Sequence, residues 1–144
     1  MQKEESSFIV LIGGGHNREL DEGRGFNRFF DRVKSTIDGH HILDLTQEKV
    51  LTENILIKQF EMNLGSASQV IFVIHSHGQR KEEKELTHSI QLKESRFSLD
   101  GLSPVISWLK QRKVRVGVID HSCYSGNTIE LGERHNICAI ATTS

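Results

Sequence analysis

Five short apolar runs punctuate this chain, and amphipathic stretches fill the spaces between them. Phe8–Ile12, FIVLI, is apolar throughout, the pattern of a strand buried on both faces. Gly13, Gly14 and Gly15 break it, and a polar loop is expected over His16–Gly25. Phe26, Phe29, Phe30, Val33 and Ile37 then recur at helical spacing, with Asp38-Gly39 as the stop. His41–Leu45 predicts a second strand. Thr52 is the expected N-cap of a helix that uses Ile55, Leu56, Phe60 and Leu64, and Gly65 closes it. Val70–Ile74 is the third strand. The charged segment Gln79–Glu85 is expected as a solvated loop. Leu86, His88, Ile90 and Leu92 alternate with polar residues, which suits a small hairpin or an edge strand. Ser98–Lys113 predicts a helix with Leu102, Val105, Ile106 and Leu109 on one face. Pro104 sits in its first turn, where a missing N–H costs nothing. Val114–Ile119 and Ile137–Ala141 complete the set of strands.

Strand and helix therefore alternate, and the strands are nearly continuous in apolar character. That combination predicts an α/β fold, a mostly parallel sheet with helices on both faces. In such sheets ligands sit outside the carboxyl ends of the strands, near the point where strand order reverses. Two runs end there in residues that carry chemistry. VIFVIHSHG runs from Val70 to His77-Gly78, and VGVIDHSCYSG runs from Val116 through Cys123 to Gly126. If the two strands are neighbours, about 5 Å apart, the two side chains converge.

Composition narrows the function classes. The 144 residues are expected to form one domain, residues 1–144, large enough for a real core. Lys+Arg total 18 and Asp+Glu 19, so no basic field points to nucleic acid. No apolar run approaches the roughly 20 residues of a membrane span. The polar, partly acidic Met1–Ser7 is wrong for a signal peptide. With only Cys123 and Cys138, a reduced, cytoplasmic setting is expected rather than a disulfide scaffold.

A thiolate is the reactive form of cysteine, and a nearby imidazole can take the thiol proton and later protonate a leaving amine. Cys123 is thus the candidate nucleophile and His77 the candidate base. Acyl transfer also needs donors for the developing oxyanion, and the backbone N–H groups of Gly78 and Cys123 are the candidates. Gly78 has no side chain to obstruct a substrate carbonyl.

The blocks SHG at Ser76–Gly78 and SCYSG at Ser122–Gly126, each after an apolar strand, resemble the caspase-like cysteine peptidases. That group takes in caspases, metacaspases and legumain-type peptidases. His77 precedes Cys123 by 46 residues, against about 50 in the caspase pattern. The closing AIATTS is similar to the legumain-type strand that follows the nucleophile turn. The resemblance implies a three-layer α/β/α sandwich and an endopeptidase with a Cys-His dyad and an acyl-enzyme intermediate. It implies no metal or organic cofactor, and a protein or peptide substrate. It also implies that the carboxyl-terminal part of the family fold is missing, as in an isolated fragment, the larger piece of a self-cleaved precursor or an inactive relative, and that a carboxyl-terminal small subunit or a homodimer partner is the expected assembly partner. Arg18 and Arg24 fall in the loop where caspases carry a basic residue that grips an acidic side chain, so they join Asp120 as candidate substrate-binding residues. The family's acid stands two residues before the cysteine. Here that position is His121 and Asp120 is one further back, so Asp120 either orients the turn or ends the strand.

Other readings stay in view. A non-catalytic caspase-like domain that binds or scaffolds is the main alternative to the enzyme. His75, His77, His121 and Cys123 make a weak zinc set, without the tight pair spacing of such sites. Gly13–Gly15 without a following P-loop Lys-Ser/Thr is a weak phosphate cradle. Cys138, inside an apolar strand, is expected to be inert core. His75 is either a partner to His77 or a satisfied core histidine, and His88 has no readable role.

Overall fold

The computed structural model describes residues 6–13, 21–37 and 41–142, with side chains in the first helix from residue 27 onward. Five strands form one parallel sheet: β1 (Ser7–Gly13), β2 (His41–Asp44), β3 (Gln69–His75), β7 (Arg115–Asp120) and β8 (Cys138–Ala141), in the order β2-β1-β3-β7-β8. All four pairings are parallel. Three further short strands, β4 (Gly78–Gln79), β5 (Ser89–Gln91) and β6 (Arg96–Ser98), make a small antiparallel sheet between β3 and helix α3 (Leu102–Gln111).

Helices lie on both sides of the parallel sheet, as the apolar strands require. On one face α2 (Glu53–Asn63), α3 and α4 (Thr128–His135) bring Leu56, Phe60, Leu102, Val105, Ile106 and Leu131 onto Phe8, Val10, Phe72 and Val118. On the other, α1 (Asp21–Thr36) sets Phe30, with Phe29, Val33 and Ile37, against Ile9, Leu11 and Val73. The architecture is α/β with a parallel sheet, compatible with three layers.

Local signals account for most boundaries. The Thr52 hydroxyl accepts from the Ile55 N–H at 3.2 Å, an N-cap contact. Gly65 follows the Leu64 cap with φ of 57°, the left-handed turn-off that glycine adopts without penalty. Two expectations are corrected. Helix α1 begins at Asp21, inside the segment expected to be loop. Helix α4 has no counterpart among the predicted elements. Its Gly132 lets the backbone pack so close to β8 that an added Cβ would sit 2.7 Å from that of Ala139.

Coverage of the sheet is uneven. In β1 six of seven residues are buried, whereas β7 alternates and β8 is half open. A cavity of about 600 Å³ lies there, with Ile71, Gly117, Ile119 and Ile140 among its lining residues. Cys138 also lines it and is exposed, which corrects its expected place in the core. Edge strands keep one side open to solvent.

Candidate active site

Strands β3 and β7 are hydrogen-bonded neighbours, with Ile74 opposite Asp120 at their carboxyl ends. Their extensions stay together. The His121 N–H donates to the Ile74 carbonyl at 2.8 Å, and His75 Nδ1 lies 2.7 Å from the His121 carbonyl. That carbonyl only accepts, so His75 is protonated at Nδ1. Both segments lie at the carboxyl rim, one of them on a strand that flanks the reversal of strand order between β1 and β3.

His77 and Cys123 are both exposed on this rim. Their segments are in backbone contact. A Cβ added to Gly78 would lie 2.8 Å from the Cys123 carbonyl carbon and 3.1 Å from its nitrogen, and nearer still to its carbonyl oxygen. The requirement for glycine at 78 thus has a structural source beyond substrate access: the next strand end rests against it. The rim is tight on its other side as well. Gly13, at φ 110°, would place a Cβ 2.5 Å from the His75 carbonyl oxygen.

The His77 segment is anchored by β5. The Gln91 N–H donates to the His77 carbonyl at 2.9 Å, and the buried Ser76 hydroxyl donates to the Gln91 carbonyl at 2.6 Å. Below the rim, His75 packs its ring on Phe29, with centroids 4.4 Å apart, and on His121 at 4.6 Å. Burial in this stack pushes the His75 imidazole below its ordinary value. The neighbouring His121 and His77 push the same way, against the hydrogen bond to His121. His75 is therefore a packed histidine at the end of β3, two residues before His77.

The Cys123 turn is held from inside. Asp120 is wholly buried. Its Oδ1 accepts from the Ser122 N–H at 3.0 Å and from the Ser122 hydroxyl at 2.6 Å, and its Oδ2 accepts from the Thr128 hydroxyl at 2.6 Å. Asp120 therefore orients the turn. The expectation of a substrate contact is corrected, because no part of its carboxylate reaches solvent. Tyr124 carries the chain through the turn at φ 66°, and a single 3₁₀ turn at Ser125–Asn127 leads into α4.

Against Asp120 stands His88, a residue whose place in the sequence suggests no role by itself. His88 is fully buried, with Nε2 2.8 Å from the Ser122 hydroxyl and 3.3 Å from Asp120 Oδ2. Its signal was present: His88 belongs to the alternating series Leu86, His88, Ile90, Leu92, and a histidine facing a core needs a buried partner. The two-residue period of β7 turns Asp120 inward with Val116 and Val118, which nominates that partner.

Of the remaining candidates, Arg18 lies outside the described residues, as do Gly14 and Gly15, and of Arg24 only the helical backbone is described. Among the described residues, no group of three or more His, Cys, Asp or Glu side chains is arranged to hold a metal ion. No helix among them is long and apolar enough to cross a membrane. No protein-family model matches the chain, and no curated protein matches it.

Proposed function

We propose that this chain is a caspase-like cysteine endopeptidase domain that works in the cytoplasm on a protein or peptide substrate. The observation that carries the reading is the backbone contact between Gly78 and Cys123, which brings the His77 and Cys123 segments to one exposed rim. The Cys123 thiol gives its proton to His77, and the sulfur attacks the scissile carbonyl carbon. The oxyanion is held by the N–H groups of Gly78 and Cys123. His77 protonates the leaving amine as the C–N bond breaks, leaving a thioester. Water, deprotonated by His77, then attacks the thioester and releases the acid and the thiol. The chemistry needs neither a metal nor an organic cofactor.

A peptide library with every residue type before the cut tests this. Cleavage after one preferred side chain is expected, lost in Cys123→Ser and in His77→Ala. Cleavage that survives Cys123→Ser overturns it.

A second reading is favoured by a different region. The open face of β7 and β8, with Ile140 49% exposed, is suited to a binding domain without catalysis. Its partner would be a carboxyl-terminal small subunit or a second copy of the chain. Such a domain shows no His77-dependent reactivity at Cys123.

A further inference from the structure

We propose that His88 is a positioning residue, a buried tie that sets the His77 segment and the Cys123 turn in register. The proposal rests on reading Cys123 as the nucleophile.

Hydrogen-bond bookkeeping fixes the roles. The Ser122 hydroxyl has one proton, and it goes to Asp120 Oδ1 at 2.6 Å. At His88 the same oxygen therefore accepts, so Nε2 carries a proton. That proton faces both Ser122 and the second Asp120 oxygen, 2.8 and 3.3 Å away. The Ser122 N–H and hydroxyl, the Thr128 hydroxyl and His88 Nε2 then all present donors to the Asp120 carboxylate. The other ring nitrogen, Nδ1, has no hydrogen-bond partner among the described residues. The ring is thus held by one edge only, the edge that meets the nucleophile turn.

The segment that delivers the ring runs directly into β5, which grips the base. Thr87 is locked to Asp100 through its N–H and hydroxyl, at 2.8 and 2.7 Å, and the His88 carbonyl accepts from the Leu99 N–H at 3.0 Å. Three residues on, Gln91 holds the His77 backbone and the Ser76 side chain. The short segment from His88 through β5 therefore clamps the base-bearing segment at Gln91 and the nucleophile-bearing turn at His88. The β3–β7 ladder itself ends at Ile74 and Asp120, before either candidate catalytic residue. Beyond that point the tie through His88 supplements the contact at Gly78.

A histidine that only fills the core would change stability and leave local reactivity alone. The test is the iodoacetamide alkylation rate of Cys123, followed by peptide mass spectrometry well below the melting temperature, with Cys138 as internal control. In His88→Leu the Cys123 rate is expected to fall roughly tenfold with the Cys138 rate unchanged. His88→Gln, whose terminal N–H sits near the Nε2 position, is expected to restore it to within about threefold. Ser122→Ala removes the acceptor without touching the ring and is expected to reproduce the selective loss, which keeps the test available if His88→Leu does not fold. An unchanged Cys123 rate in folded His88→Leu or Ser122→Ala overturns the proposal, as does a glutamine variant no better than leucine, or a parallel fall at Cys138. Failure of the underlying reading looks different: wild-type Cys123 then reacts no faster than in His77→Ala.

Discussion

Both cysteines of this chain are exposed, Cys138 within β8 and Cys123 on the turn after the neighbouring β7, yet their surroundings have little in common. Cys138 lies in the edge strand β8, in a largely apolar cavity lining that contains no histidine or carboxylate. Cys123 lies past the end of β7, on a turn tied from below by four hydrogen-bonding side chains: Asp120, Ser122, Thr128 and His88. Exposure alone therefore does not mark a reactive thiol. What separates the two is a buried polar network, costly to build in a core, that fixes the backbone of only one of them.

The comparison is broken most simply by exchange. Cys123→Ser is expected to lower peptide cleavage by more than about a thousandfold, while Cys138→Ser leaves it unchanged. Steady-state cleavage of a fluorogenic peptide measures both. Next in size is the network itself. Asp120→Ala strands the His88, Ser122 and Thr128 donors in the core, and a loss of about 3 kcal/mol in urea unfolding is expected. Two glycines sharpen the same contrast. Gly78→Ala forces its methyl onto the Cys123 backbone and is expected to cost ~1–3 kcal/mol together with most of the activity. Gly126→Ala, on the same turn but with nothing within 4 Å of its added Cβ, is expected to fold with near wild-type stability.

The smallest effect is in pH. His75 is pushed below its ordinary value of about 6.5, mainly by burial, so the unfolded chain binds the proton more readily than the folded one. Its contribution to stability is complete above about pH 6.5 and declines as pH falls below that value toward the folded one. His135, also lowered by burial and by Arg134 and Lys110, adds to the decline in the same direction. His75→Asn keeps a donor for the His121 carbonyl and cannot titrate. Thermal melts between pH 8 and pH 5 are expected to show a shallower decline in that variant, with His135 contributing to the decline that is left.

Periodicity carried the framework. The apolar runs at Phe8–Ile12, Val70–Ile74 and Val114–Ile119 are strands, and placing the third and fourth predicted strands side by side set His77 and Cys123 on one rim. Helix α4 escaped because Ile129 and Leu131 are its only large apolar residues and Gly132 weakens its propensity; close packing on β8 is what the glycine provides. The role of Asp120 was half legible. Spacing from the cysteine made it look displaced from a familiar pattern, whereas the alternation along β7 turns it inward. The alternation around His88 marked an inward-facing polar residue, but its contact across 34 residues is set by topology and not by local sequence.

The central claim, that Cys123 is a nucleophile served by His77, is tested most directly by covalent trapping. A panel of peptidyl acyloxymethyl ketones is incubated with the wild-type chain and with His77→Ala, and the modified residue is located by mass spectrometry. The account predicts a thioether at Cys123, none at Cys138, and loss of the adduct in His77→Ala. Equal labelling of the two cysteines, or Cys123 labelling indifferent to His77, would contradict it.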